Sequence, residues 1–273
     1  MTLADRFDGL LIDLDGVVWI CREPVPGAAE TLRALLEAGK GIAFVTNNPG
    51  KPPSAYAERL RELGVEVGEE RIVTAGMVVA RLAAAAAGSG GGVFVIGAAA
   101  LKEMVAATGA RVVEGTDARE ADAVVVSGHR GFDYEELLTA HRALERGAAL
   151  FATSHDPTMP YPGGELPGTG AVLAAVETAS GRRAEIAGKP ERHLFEMALE
   201  ALRGSFVADQ ATKEPRNSRV AMVGDRISSD IAGGRAAGLE TILVLSGTTS
   251  RDEAAAADPA PDFVLEDLRG LLT

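Results

Sequence analysis

Leu10-Leu-Ile-Asp13-Leu-Asp15-Gly-Val17 is the stretch on which the reading of this chain turns. An unbroken apolar run ending in Asp13 has the signature of a strand buried on both faces, as in a parallel sheet. Two carboxylates two residues apart follow at its carboxyl end, and Gly16 lets the chain turn. Residues two apart in an extended segment point the same way, and open α/β sheets bind ligands beyond the carboxyl ends of their strands. Carboxylates this close repel one another unless a proton or a cation intervenes. A divalent metal is the natural partner, and hard oxygen ligands suit magnesium. An ordinary strand closed by an Asp-Gly turn is the competing reading, and the pair alone does not decide between them.

A second segment tips the balance. Val220-Ala-Met-Val-Gly224-Asp225 repeats the apolar strand that ends in a carboxylate. Asp230 follows at the start of a predicted helix, where the helix dipole alone would favour it; the dipole does not account for Asp225. Ile42-Ala-Phe-Val-Thr46-Asn47-Asn48 brings a hydroxyl and two amides to a further strand end, donors suited to phosphate oxygens. Gly188-Lys189-Pro190 adds one cation just before a helix.

Around these segments, short β-branched runs alternate with Ala/Leu/Glu-rich stretches. Strands are predicted at 9–14, 41–45, 93–96, 123–126, 150–151, 220–223 and 241–245. Helices are predicted at 28–38, 54–63, 101–107, 134–146, 171–179, 193–202 and around 230–237. This alternation argues for α/β architecture with parallel sheets. Two Gly- and Pro-crowded stretches, 88–92 and 157–170, read as linkers. The strand–helix theme between them reads as a second α/β unit inserted into the first. The glycines at 88–92 precede a strand instead of opening a helix, so they read as a connector and not as a phosphate-cradling loop. The polar stretch 205–219 reads as a surface loop.

Composition narrows the class. The 273 residues carry 27 Lys and Arg against 39 Asp and Glu, a net charge of −12. That charge opposes general nucleic-acid binding, though a local cation cluster still serves small anions. The single cysteine, Cys21, cannot form an intrachain disulfide, which fits a reducing compartment. No basic stretch followed by a long apolar run opens the chain, so no signal peptide is expected. The apolar runs are of strand length, so no membrane span is expected. A cytoplasmic protein follows from this reading. His141, His155 and His193 show no metal-ligand spacing.

Asp13-x-Asp15-Gly-Val, Thr46-Asn-Asn, Gly188-Lys-Pro and Gly224-Asp-Arg-x-x-x-Asp230 stand in the order of the four motifs of the haloacid dehalogenase-like (HAD) superfamily. The chain resembles its NagD-like branch of phosphatases over nearly its whole length, and Pro26-Gly27-Ala28 and Pro167-Gly-Thr-Gly170-Ala add to the likeness. The resemblance implies a Rossmann-like core at 1–79 and 185–273, with an α/β cap at 80–184 that covers the pocket and chooses the substrate. It implies that Asp13 attacks phosphorus and that Asp15 acts as general acid and then base. Magnesium would be held by the Asp13 carboxylate, the Asp15 carbonyl and Asp225, with Asp230 close by through water. Thr46, Asn47 and Lys189 would bind the phosphoryl oxygens. The substrate is expected to be a small phosphorylated metabolite, with a polyol phosphate such as glycerol 3-phosphate preferred. Phosphoglycolate, nucleoside monophosphates and pyridoxal phosphate remain alternatives, as does a phosphomutase on the same fold. Cap-to-cap homodimers occur among similar proteins.

Departures from the branch pattern cluster in four places. Pro-Gly-Lys-Pro-Pro follows Asn48, Ser127-Gly-His129-Arg130 replaces a Gly followed soon by Asp, Thr153-Ser-His155-Asp156 replaces Thr-Asn-x-Asp, and Ile227-Ser-Ser229-Asp230 lacks one acidic group. His129 and Arg130 form a basic pair on a predicted cap loop and are the candidates for substrate specificity. Trp19, four residues past Asp15, lines the pocket or packs beside its entrance.

Overall fold

The computed structural model describes residues 2–161, 164–208 and 219–273. They form two compact units. Of the described residues, the first comprises 2–46, 53–73, 189–208 and 219–273, and the second 47–52, 74–161 and 164–188.

The first unit is built on a six-stranded sheet. Its strand order is Phe263–Leu265, Glu240–Val244, Val220–Gly224, Gly9–Asp13, Gly41–Thr46 and Ile72–Thr74. Gly9–Asp13 lies between Val220–Gly224 and Gly41–Thr46 and runs parallel to both, with Ile12 level with Val223 and Asp13 level with Val45. Every residue of the Asp13 strand is buried, as the unbroken apolar run demands. Leu10, Ile12, Ile42, Phe44, Ala221 and Val223 join side chains such as Leu32 and Leu35 of helix Ala28–Glu37 in one core. The central strand therefore delivers Asp13 where the chain order reverses across the sheet, the place at which open α/β sheets hold ligands.

After Asp13 the chain doubles back. Gly16 N–H donates to the Trp19 carbonyl (2.7 Å), Val18 N–H donates to the Leu14 carbonyl (2.9 Å), and Trp19–Ile20 pairs with Glu23–Pro24 as a two-stranded hairpin.

The second unit has a five-stranded sheet ordered Glu185–Ile186, Ala149–Ala152, Ala123–Val126, Gly92–Ile96 and Arg111–Val112, with every neighbouring pair parallel. Its own core gathers Val124, Val126, Leu144, Leu173 and Val176. Helix Tyr134–Glu145 begins at Asp133, whose carboxylate accepts the Glu136 N–H at 2.9 Å. Such a cap contributes about 1 kcal/mol.

The expected division at 80 and 184 differs from the one observed. The helix Ala75–Ala87 belongs whole to the second unit, which runs on to Gly188. The stretch 157–170, expected as a linker, instead carries an antiparallel pair, Thr158–Tyr161 with Gly164–Pro167, and the start of helix Thr169–Ser180. Pro160 and Pro167 fall in this ribbon, where neither strand has a second neighbour to satisfy among the described residues. The helix expected to end at 202 continues to Ala208, which corrects the first part of the predicted loop at 205–219; residues 209–218 lie outside the described residues. Among the described residues, no helix is long and apolar enough to cross a membrane.

Candidate active site

Asp13, Lys189, Asp225 and Asp230 meet at the carboxyl edge of the first unit's sheet. Lys189 Nζ lies 2.8 Å from Asp13 Oδ1 and 2.6 Å from Asp230 Oδ1. Asp13 Oδ1 also accepts the Leu14 N–H at 2.8 Å. The second oxygen of Asp230 accepts the Arg226 N–H at 3.0 Å. All four side chains are almost wholly buried.

Asp225 is seated by a loop that the motifs did not single out. Thr248 N–H donates to Asp225 Oδ2 at 2.6 Å, and Thr249 N–H donates to the Asp225 carbonyl at 3.2 Å. Ser246 Oγ donates to the Gly16 carbonyl at 2.7 Å, tying this loop to the turn after Asp13. Two glycines make the seat possible: a Cβ on Gly247 would stand 2.1 Å from Asp225 Oδ2, and one on Gly16, whose φ is +89°, would stand 2.4 Å from the same oxygen. The only signal for this loop in the sequence is a run of small polar residues, Ser246-Gly-Thr-Thr249, just past a predicted strand.

The electrostatics are unbalanced by design of the residues present. Burial drives the Asp13 carboxyl well above its ordinary range, and the neighbouring carboxylates add to that push while Lys189 opposes it. Burial also raises Asp225, with Asp230 adding to it and the Thr248 hydrogen bonds opposing. Burial would lower Lys189, but the Asp13 and Asp230 carboxylates outweigh it and hold the ammonium firmly protonated. With all three ionised, the carboxylates outnumber the ammonium they surround by two charges, an excess that burial resists by favouring their protonated forms.

A divalent cation fits that excess. Asp13, Asp225 and Asp230 each offer an oxygen within 4.8 Å of the others. Among the described residues, the buried Asp225 Oδ1 has no hydrogen-bond partner, a state costing roughly 1–3 kcal/mol unless something binds it. An all-oxygen donor set is the kind magnesium takes. Both oxygens of Asp230 are already engaged, by Lys189 and by the Arg226 N–H, which suits a neighbour of the ion better than a ligand. The acidic group missing from Ile227-Ser-Ser229-Asp230 falls at Ser228. Ser228 is exposed and Ser229 buried, while Asp225 and Asp230 are in place.

The remaining expected residues divide between the two units. Thr46 ends the strand beside Asp13 and is buried. Asp15 lies on the turn beyond the strand, exposed, with its Oδ1 accepting the Trp19 Nε1–H at 3.0 Å. Trp19 is fully buried. Asn47 belongs to the second unit, where its Nδ2 approaches Asp156 Oδ2 at 3.4 Å. His129 and Arg130 also belong to the second unit. Both ring nitrogens of His129 are engaged there: Nε2 lies 2.8 Å from Glu136 Oε2, and Nδ1 accepts the Gly131 N–H at 3.3 Å.

Two family models match the chain, haloacid dehalogenase-like hydrolase over residues 10–111 and HAD-hydrolase-like over residues 186–271. A D-glycerol 3-phosphate phosphatase from Mycobacterium tuberculosis is 37% identical over 99% of this chain and 72% of its own length. The solved glycerol phosphate phosphatase of that organism, in complex with magnesium, matches with a TM-score of 0.85 and 36% identity over 99% of this chain and 78% of its own. The p-nitrophenyl phosphatase of Archaeoglobus fulgidus matches with a TM-score of 0.86 and 34% identity, over 97% of this chain and 98% of its own. NagD from Escherichia coli K-12 matches with a TM-score of 0.80 and 29% identity, over 98% of each. The chain belongs to the haloacid dehalogenase-like hydrolases, in their NagD-like branch. It is a phosphoric monoester hydrolase with magnesium as its cofactor.

Proposed function

We propose that this enzyme hydrolyses a small polyol phosphate, glycerol 3-phosphate foremost, through an aspartyl-phosphate on Asp13. The observation that carries the reading is the pairing of Asp13 with Lys189 at 2.8 Å, beside an Asp225 oxygen that has no partner among the described residues. The similarity to the mycobacterial D-glycerol 3-phosphate phosphatase supports the choice of substrate.

The chain's own groups divide the work. The Asp13 carboxylate attacks phosphorus, and the bond to the ester oxygen breaks. Asp15 gives its proton to the leaving alkoxide. Asp15, now a carboxylate, takes a proton from the water that attacks the phosphoaspartate, and inorganic phosphate leaves. Lys189, with Thr46 and Asn47, holds the phosphoryl oxygens and balances their charge. Alignment and charge neutralisation are the main demands of such a transfer. Asp13, Asp225 and the Asp15 carbonyl would hold magnesium, which would supply positive charge against the phosphoryl group.

Substrate choice is read as a property of the inserted unit, which acts as the cap, with Arg130 and His129 as its candidates. Since His129 is engaged with Glu136 and Gly131, its part is to hold the loop that carries Arg130. Action on small metabolites in the cytoplasm accords with the acidic charge and the lone Cys21.

The test is phosphate release from a panel containing glycerol 3-phosphate, phosphoglycolate, nucleoside monophosphates, pyridoxal phosphate and a hexose phosphate. Glycerol 3-phosphate should give the highest kcat/KM in magnesium, and chelator should abolish turnover. Asp13→Asn should lower kcat by about four orders of magnitude or more, as loss of a nucleophile does. A different leader on the panel overturns the substrate. Transfer of phosphate between sugar hydroxyls without release overturns hydrolysis in favour of a mutase.

A further inference from the structure

Beyond the four motifs, one group of side chains in the first unit converges on Asp15. The Asp15 carboxylate is exposed and sits on a turn, a poor place for a group that must deliver a proton in a fixed direction. Its Oδ1 accepts the indole Nε1–H of Trp19 at 3.0 Å. That indole is not itself free to swing. Its ring is completely buried. Tyr56 lies parallel to it, with the planes 5° apart and the centroids 6.4 Å apart. The Arg59 guanidinium covers it at 3.9 Å from the ring centroid. Tyr56 and Arg59 are one helical turn apart on Pro53–Glu62 and so present one face.

Arg59 reaches further. Its Nη2 donates to the Cys21 carbonyl at 2.8 Å, at the turn of the hairpin that carries Trp19, where Cys21 takes a left-handed φ of 54°. Backbone bonds close the other end of the same loop, from Gly16 N–H to the Trp19 carbonyl and from Trp19 N–H to the Leu14 carbonyl. Backbone therefore fixes where Asp15 stands, and the indole fixes which way its carboxylate faces. A single N–H on a locked ring engages one oxygen and orients the other.

We propose that Trp19 is a positioning residue for Asp15, locked by Arg59 and Tyr56, so that the Asp13–Asp15 chemistry depends on a side chain outside all four motifs. The proposal rests on the reading of Asp15 as general acid given above. It explains Trp19 as more than core filling: a buried indole must place its N–H somewhere, and here it is placed on an acid that has to be aimed.

The experiment compares two leaving groups in kcat/KM, which covers the steps up to departure of the alcohol. Glycerol 3-phosphate releases an alkoxide that needs a proton; p-nitrophenyl phosphate releases a phenolate that does not. Asp15→Asn sets the full loss of acid assistance, and its bias between the two substrates checks the acid reading on its own. Trp19→Phe keeps a buried ring and removes the N–H. It should lower kcat/KM for glycerol 3-phosphate about ten- to a hundredfold, within the range of general-acid assistance, and that for p-nitrophenyl phosphate by less than about threefold. In the Asp15→Asn background, Trp19→Phe should add nothing further, because the group it aims is gone. Should Trp19→Phe not fold, Arg59→Gln carries the same test with a smaller bias of the same sign, and Arg59→Lys should restore it only in part. Equal losses on both substrates, or full additivity with Asp15→Asn, would overturn the positioning role while leaving the phosphatase intact. If Asp15→Asn itself shows no bias, the acid role falls and the positioning role falls with it.

Discussion

The two parallel sheets of this protein end their strands in opposite ways. In the six-stranded sheet, strands deliver Asp13 and Asp225 to one edge, where Lys189 and Asp230 join them with two negative charges unmatched when all three carboxylates are ionised. In the five-stranded sheet, the residues following two adjacent strands are Ser127 and Thr153. Their hydroxyls meet at 3.2 Å, Thr153 Oγ1 lies 3.2 Å from Thr169 Oγ1, and Thr169 Oγ1 accepts the Gly128 N–H at 3.0 Å. Both clusters are buried. One is complete in itself, because hydroxyls can donate and accept in turn. The other holds a buried Asp225 oxygen that no protein group meets among the described residues. The same architecture thus makes a structural knot at one strand edge and a reactive site at another, and the choice lies in whether the buried groups cancel.

The sharpest way to break that contrast is to remove the unmatched charge. Asp225→Asn should cut the apparent magnesium affinity by at least about tenfold, since even indirect partners of a metal site cost that much. It should also abolish the rise in Tm that magnesium gives the parent enzyme, without lowering the Tm of the metal-free chain. Titration calorimetry and thermal melts check the two halves; an undiminished magnesium response would remove Asp225 from the site.

A smaller effect follows from pH. Asp13 and Asp225 both stand above their ordinary carboxyl value of 3.8 in the folded chain. Between that value and the raised one, the folded state keeps protons that the unfolded state has released, so these two groups withdraw stability as pH rises through the window. Magnesium binding requires the same protons to leave. The magnesium-induced gain in Tm should therefore grow as pH rises through that window, and melts at several pH values with and without magnesium read it directly. A gain independent of pH would contradict the raised carboxyls.

The hydroxyl cluster offers the mildest test. Thr153→Val keeps the shape and removes the shared hydroxyl, so it should cost roughly 1–2 kcal/mol of stability. The loss should be the same with and without magnesium, and kcat for p-nitrophenyl phosphate should stay at the parent value. A magnesium-dependent loss would mean that the two edges are not independent.

Legibility in the sequence followed the range of the interactions. Asp13 and Asp225 could be read because each ends an apolar run, and a buried strand writes itself locally. Lys189 could be read only through motif order, since nothing near it in the chain shows that its ammonium meets Asp13 and Asp230. Asp230 was legible as a helix-start residue; the structure makes the segment Ile227–Ile231 a π-helical turn with Asp230 buried against Lys189, which no helical periodicity announces. The Ser246–Thr249 loop escaped because its contacts with Asp225 and Gly16 are long-range backbone and hydroxyl bonds. The antiparallel pair at 158–167 escaped because Pro and Gly signal turns more strongly than they signal a ribbon. Trp19 left pocket lining and packing as open readings, and its bond to Asp15 is a matter of where one N–H points.

The central claim is that Asp13 becomes phosphorylated during turnover. Acid-quenching the enzyme during steady-state hydrolysis of glycerol 3-phosphate and mapping the peptides by mass spectrometry tests this most directly. The account predicts a hydroxylamine-sensitive phosphoryl adduct on Asp13, accumulating further in Asp15→Asn with p-nitrophenyl phosphate, where the acid is not needed but the base is missing. Normal turnover with no adduct on Asp13, or an adduct on another residue, would contradict it.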